Sequence, residues 1–363
     1  MNQFWSDIVG ELKPYVPGEQ PREGLFIKLN SNESPYLPSP KAVQAMQEAI
    51  HGNLALYPEA DATPVREAVA KYYGIATEEV FVGNGSDEVL AHIFLGLFCH
   101  QGKRILFPNI TYSFYPVYAK LYRVPYEEVP LADDFTLDLT PYLKASSQEV
   151  SAIIFANPNA PTSMALSLEQ IETLLKAQPD ILVVVDEAYV DFGAETAVKL
   201  ISQYPNLVVT QTLSKSRSLA GIRVGFAFGQ AEVLQALVRV KNSFNSYPID
   251  RVAQAAAIAA FEDDAYFQQT RQMIIESREY LVKEVKALGF EVFPSKTNFI
   301  FMRHPNHDAA ALAAALREKK LLVRHFKQAP IDQYLRITIG TQKNCEILVN
   351  ALSEILSRGI IKA

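Results

Sequence analysis

The most restrictive feature of this chain is a set of short, unbroken apolar runs separated by amphipathic stretches. Ser151-Ala-Ile-Ile-Phe155, Ile181-Leu-Val-Val-Val185 and Leu207-Val-Val209 show almost no alternation of apolar and polar residues. A strand that is apolar at every position has no face to offer water. With the helical pattern of Leu168 to Ala177 between the first two runs, they predict a mostly parallel sheet covered by helices on both faces. Arg104-Ile-Leu-Phe107 and the helical stretch Phe114 to Leu121 repeat the strand–helix alternation upstream. No run approaches the roughly 20 apolar residues that a membrane-spanning helix needs.

The flanks of this α/β block read differently. Helices are expected from Pro40 to Ile50 and from about Pro64 to Tyr73, with Thr63 as N-cap and Pro64 at the first helical position. After Tyr247 comes an Ala-rich helical stretch, Arg251 to Leu288, with a break expected near Asp263-Asp264. The order strand, helix, strand, strand, helix then runs to Ser357 and predicts a smaller α+β domain. A length of 363 residues suits about two domains. The expected division is an N-terminal helix and Pro/Gly-rich arm over 1–28, packing with the small domain, a large domain over 29–246, and a small domain over 247–363. A formal charge of −6 gives no general field for phosphates, so nucleic acid is not an expected partner. Two cysteines and no Cys/His cluster argue against a disulfide framework or a metal centre. The first 15 residues lack a basic-then-apolar leader, so a cytoplasmic location is expected.

Chemically useful residues collect where the strands end, which is where open α/β sheets bind ligands. Glu79-Val-Phe-Val-Gly-Asn-Gly-Ser-Asp-Glu88 runs a strand into a Gly-rich turn and opens a helix at Ser86-Asp87, a ready anion site at Gly85, Ser86 and Asp87. Asn157 lies in a turn with two prolines, Asn157-Pro-Asn-Ala-Pro-Thr162. Asp186 follows five aliphatic residues, and a carboxylate there needs a cation or strong hydrogen bonds. Lys215 lies between hydroxyls in Thr212-Leu-Ser-Lys-Ser-Arg-Ser218; apolar surroundings there would favour its free amine. Together these residues fit an aldehyde-bearing pyridine phosphate. Lys215 would take the aldehyde, Asp186 the ring nitrogen, Asn157 and Tyr189 the ring hydroxyl and Tyr112 the ring face, while the Gly85 turn, Ser214 and Arg223 would take the phosphate.

At this point the chain resembles the fold-type I pyridoxal-phosphate aminotransferases, and within them the histidinol-phosphate aminotransferase family. The resemblance covers nearly the whole chain. It rests on Leu29-Asn-Ser-Asn-Glu33, Tyr57-Pro-Glu59, Gly83-Asn-Gly-Ser-Asp-Glu88, Asn157-Pro-Asn-Ala-Pro-Thr162, Asp186-Glu-Ala-Tyr189, Ser214-Lys215, Gly221-Ile-Arg-Val-Gly225 and Leu335-Arg-Ile-Thr338. It implies an aspartate-aminotransferase-like fold and pyridoxal 5'-phosphate as cofactor, with Lys215 in Schiff-base linkage. It also implies Thr212 beside Ser214 and Arg223 at the phosphate, and a homodimer in which Tyr57 reaches the partner's cofactor phosphate. Arg336 would bind a substrate phosphate or carboxylate, with Tyr15, Asn32 and Arg324 completing the set. Two positions depart from the family's amide–proline turn: Ala160 stands for a second amide and Ser163 for a glycine.

The implied reaction transfers an amino group from histidinol phosphate to 2-oxoglutarate, with Lys215 as the general base. Three alternatives share the framework: an aromatic amino-acid aminotransferase, a decarboxylase acting on a phosphorylated amino acid, and a cofactor-binding sensor. The sensor reading requires an N-terminal DNA-binding module, for which the residues before Asn32 leave little room.

Overall fold

The computed structural model describes residues 2–15, 19–20, 25–52 and 54–359. Residues 16–18 and 21–24 of the expected N-terminal arm lie outside the described residues. Strand β1 (Ile27–Leu29) opens the fold and belongs to a small sheet. The large sheet takes β2 (Val80–Gly83), β3 (Arg104–Pro108), β4 (Tyr126–Val129), β5 (Val150–Ala156), β6 (Leu182–Asp186), β7 (Leu207–Thr212) and β8 (Gly225–Gly229). Its order is β2-β8-β7-β6-β5-β3-β4. Only β8 runs antiparallel to its neighbours. The small sheet adds β9 (Glu291–Val292), β10 (Phe299–Arg303), β11 (Leu321–His325) and β12 (Leu335–Thr338), in the order β1-β11-β12-β10-β9. This is an α/β architecture with a mostly parallel sheet and a second, smaller sheet. Among the described residues, no helix is long and apolar enough to cross a membrane.

Period-two alternation sorts the large sheet's side chains into two cores. Ile153, Phe155, Val183, Val185 and Val209 pack on one face. Ala152, Ile154, Val184 and Val208 pack on the other, against Tyr115 and Tyr118 of the helix Tyr115–Leu121. Val183, Val184 and Val185 are fully buried, and each such side chain contributes about 1.5–3 kcal/mol. Continuous burial on both faces is what the unbroken apolar text requires.

Packing moves the expected domain boundaries. The helices Arg251–Glu262 and Asp264–Ala287 meet at Asp263, as the sequence suggests. The first of them, however, buries Ala253, Ala256, Ala257 and Phe261 in the large domain's core, while Ile274 and Leu281 of the second join the small domain's. By its core contacts the first helix therefore goes with the large sheet and the second with the small one. Likewise β1 pairs with β11, so residues 27–29 belong to the small sheet. A second correction concerns Thr63. It is the first residue of the helix Thr63–Tyr73 and does not cap it; its N–H and hydroxyl both donate to the Glu59 carboxylate, at 2.6 and 3.1 Å.

Candidate active site at the strand ends

Register builds the centre of the site. Ala156, Asp186 and Thr210 are paired neighbours across β5, β6 and β7. By alternation Asp186 and Thr210 face the Tyr115 side of the sheet. The Thr210 hydroxyl and the Ala188 N–H donate to Asp186 Oδ1 at 3.2 and 3.3 Å, and the Tyr115 hydroxyl donates to Oδ2 at 3.0 Å. Asp186 is 4 % exposed and has no cationic partner among the described residues. Burial pushes its carboxyl up to about 6, although all three donated bonds pull the other way. A ligand that brought a cationic N–H would therefore find an acceptor already oriented.

The anion cradle depends on two glycines. The helix Gly85–Ile93 starts without a side-chain cap, because the Asn84 amide donates instead to Pro248 O at 3.3 Å. Its first N–H groups are left for a ligand. Gly85 has φ +80°, and a Cβ there would lie 2.6 Å from Arg223 Nη2. A Cβ on Gly225 would lie 2.4 Å from the Ser86 nitrogen. Only glycine at both positions lets the guanidinium, the helix start and β8 converge. Arg223 pairs with Asp87 at 3.0 Å and reaches the Ser214 hydroxyl at 3.4 Å; Thr212 donates to Ser214 at 2.9 Å. The Tyr112 hydroxyl donates to the other Asp87 oxygen at 2.8 Å, which holds its ring beside the cradle.

Lys215 is half-buried, with Nζ 5.8 Å from the centre of the Tyr189 ring. Burial works to raise the Glu33 pKa, yet bonds from Lys28 and Ser31 and the charges of Lys28 and Lys215 hold it below the ordinary carboxylate value. Neighbours that sequence reading missed fix the lysine's turn. Ser216 donates to Asp191 Oδ2 at 2.5 Å. The buried Arg217 guanidinium lies 4.1 and 4.0 Å from the Phe261 and Phe267 rings and donates to Ala260 O. Nothing in a lone Ser-Arg-Ser marks such a role. For Tyr115 a signal existed: it lies three residues beyond Tyr112, where the helix brings it to the sheet.

Asn157 is tied to the cluster by its backbone, its N–H donating to Asp186 O at 2.8 Å, but its side chain does not join it. It shares the parity of Ile153 and Phe155, so its side chain turns to the opposite face from Asp186. There its Oδ1 accepts the Leu166 N–H at 2.7 Å and its Nδ2 donates to Leu166 O at 3.3 Å. It lines a cavity of about 240 Å³ with Leu131, Phe135, Leu137, Met164 and Gln170. Asn159 is engaged as well, with Ile110 O, Thr111 and Thr162. The peptide bonds before Pro158 and Pro161 are both cis. Ser163 stands in the left-handed region at φ +65°, and its hydroxyl donates to Pro294 O at 3.0 Å, on the small-domain side.

The small domain supplies the far end. Arg336 lies opposite Arg324 on paired strands. Its Nη2 donates to Asn30 O at 2.9 Å, while its buried Nε has no acceptor. No carboxylate pairs with it among the described residues. Burial pushes its pKa down, and the charge of Arg324 adds to that. Tyr15 is near enough to act on the Arg336 charge, and its ring stacks 4.4 Å from Phe114, next to Tyr112. Arg324 lies over Phe326 at 5.7 Å. Asn32 contacts Tyr189 and Thr338. Tyr57 stands apart: it is 77 % exposed and stacks on Tyr247 at 4.6 Å, near the exposed Leu54, Leu56 and Phe244.

The cradle, the buried acceptor and the unpaired arginine thus fit the pyridine phosphate and anionic substrate expected from the sequence, except at Asn157. Comparison with known proteins agrees. The family model described as aminotransferase class I and II matches residues 26–352. A histidinol-phosphate aminotransferase of Bordetella parapertussis is 57% identical over 98% of this chain and all of its own. One from Pseudomonas putida is 58% identical over 97% of this chain and all of its own. Among solved structures, a histidinol-phosphate aminotransferase from Sinorhizobium meliloti in complex with pyridoxal-5'-phosphate superposes with a TM-score of 0.88, at 24% identity over 99% of both chains. An aspartate aminotransferase variant from Thermus thermophilus gives 0.83 at 20% identity, over 97% of this chain and 99% of its own.

Proposed function

The chain belongs to the class I and II aminotransferases, and from that premise we propose that it is a histidinol-phosphate aminotransferase. It would use pyridoxal 5'-phosphate to move an amino group from histidinol phosphate to 2-oxoglutarate, or back from glutamate, in histidine biosynthesis. The observation that carries this reading is identity of 56–58% along nearly the whole chain with relatives of that name in several species. The unpaired, half-buried Arg336 supports it, because a guanidinium without a carboxylate suits a ligand phosphate.

The cofactor, when bound, supplies an aldehyde that condenses with amines and a ring that draws electrons from the attached carbon. The chain's residues do the rest. The first-turn N–H groups at Gly85, Ser86 and Asp87, with Thr212, Ser214 and Arg223, bind the phosphate. Asp186 would accept from the ring nitrogen and keep its proton in place, with Tyr115 and Thr210 setting the carboxylate's orientation. Tyr189 would bond the ring oxygen, Tyr112 would cover the ring, and Lys215 Nζ would hold and move the substrate's α-proton. Arg336, with Arg324 and Tyr15 near it, would bind the substrate's anionic end and the carboxylate of glutamate. Asn157 keeps a structural part only, at the cavity across the sheet.

The exposed Tyr57, Tyr247, Leu54, Leu56 and Phe244 support a homodimer in which Tyr57 completes the partner's phosphate site. Two cysteines without a disulfide and a biosynthetic reaction support a cytoplasmic location. The test is a coupled assay of the purified protein with 2-oxoglutarate as acceptor. A kcat/KM for histidinol phosphate well above those for phenylalanine and tyrosine is expected. The reverse order would make it an aromatic aminotransferase, and carbon dioxide release would make it a decarboxylase.

A further inference from the structure

Asn32 lies where the two domains meet, 1 % exposed, with its backbone in the left-handed region at φ +55°. Its N–H donates to Thr338 Oγ1 at 2.9 Å, and the Thr338 hydroxyl donates back to Asn32 Oδ1 at 3.0 Å. Its carbonyl accepts from Asn298 Nδ2 at 3.0 Å. Its own Nδ2 donates to the Tyr189 hydroxyl oxygen at 2.9 Å. The Thr338 hydroxyl, already accepting from the Asn32 N–H, gives its one hydrogen to the amide oxygen, and the NH2 is turned to Tyr189. The phenol of Tyr189 is therefore an acceptor toward Asn32. Its single hydrogen is left for another partner, while Lys215 Nζ lies over the ring face, 5.8 Å from its centre.

We propose that Asn32 is a positioning residue, not a substrate ligand: with Thr338 it fixes Tyr189 as a hydrogen-bond donor aimed at the oxygen substituent of the bound cofactor ring. The inference rests on the reading of the site as a pyridoxal-phosphate site. It gives the small domain a part in the cofactor's electronics. Thr338 and Asn298 belong to that domain and Tyr189 to the large one, so the phenol's proton is directed only when the two are seated together.

The test titrates apoprotein with pyridoxal phosphate by absorbance, for wild type, Asn32→Asp, Tyr189→Phe, the double variant and Thr338→Val. A carboxylate at position 32 can only accept, so it draws the Tyr189 hydrogen to itself. Asn32→Asp should weaken cofactor binding about tenfold. It should also raise the pH midpoint of the bound cofactor's absorbance, because a donor on the ring oxygen favours the deprotonated form. Tyr189→Phe should do the same, and the double variant no more than either. Thr338→Val, which frees the amide to turn, should lose about threefold in affinity. Two outcomes overturn the proposal: wild-type affinity and midpoint in Asn32→Asp, meaning that Tyr189 donates to Asn32, or an undiminished Asn32→Asp loss on top of Tyr189→Phe. Wild type that binds no pyridoxal phosphate would instead overturn the reading of the site itself.

Discussion

In the proposed site two arginines mark the two ends, and they are held in opposite ways. Arg223 at the cofactor end pairs with Asp87 and reaches Ser214 and Ala220, with glycines making room for it. Arg336 at the substrate end has one backbone carbonyl, two aromatic faces and a buried Nε without an acceptor. An arginine with partners of its own keeps its place whether or not a ligand is present, which suits a resident group. An arginine short of partners gains most when an anion arrives, which suits a substrate that comes and goes. The cost of leaving Arg336 so is several kcal/mol of desolvation, and binding of an anion offsets it.

The comparison predicts how the ends should fail. The largest effect belongs to Lys215, which serves both. Lys215→Ala should lower kcat about 10,000-fold or more while cofactor phosphate contacts persist; turnover near wild type would remove the lysine from the chemistry. Next, Arg336→Met should raise KM for histidinol phosphate about 100-fold with cofactor affinity unchanged. Arg223→Met should do the reverse, weakening cofactor binding about 30-fold with little change in KM once the cofactor saturates. If both variants changed the same parameter, the two ends would not be separate. Tyr115→Phe removes one donor from Asp186 Oδ2 and should weaken cofactor binding about tenfold, measured by equilibrium titration at pH 7.5.

The smallest effect concerns pH. Asp186 titrates at about 6 in the folded apoprotein, against roughly 4 unfolded. Between those values the folded state holds more protons, so this group's contribution to stability falls as pH rises and is fully lost above 6. Asp186→Asn removes that dependence. Measured by urea unfolding without cofactor, the variant should gain about 1–2 kcal/mol on wild type between pH 4.5 and pH 7.5. A constant difference across that range would mean that the carboxylate is not strained by burial.

Much of this was legible in the residues. The unbroken aliphatic runs of β5 and β6 force burial on both faces, and burial forces a covered parallel sheet. Lys215, Asp186 and the Gly85 turn then become candidates, because ligand sites gather where such strands end. Asn157 shows where local text misleads. It ends a strand, as Asp186 does, but one residue beyond the register partner Ala156, and the pleat turns it to the other face. Counting parity from Phe155 would have shown this. The Thr63 cap is a similar case: the right residue type stood one position inside the helix, and Glu59 took its N–H.

Other features have no local signature. Strand periodicity and turn chemistry act over a few residues, so the sequence by itself determined the sheet, the break at Asp263 and the order of site residues along the chain. What joins Asn32 to Thr338 and Tyr189, Tyr115 to Asp186, or Arg217 to Phe261 and Phe267 spans tens to hundreds of positions. Those contacts exist only once the chain has packed, within the large domain or between the two, because hydrogen-bond direction and burial are properties of the assembled neighbourhood. The same reason placed the helix Arg251–Glu262 with the large domain and left Arg336 without a carboxylate. Tertiary structure alone decided which of the expected polar residues are satisfied by the protein and which wait for a ligand.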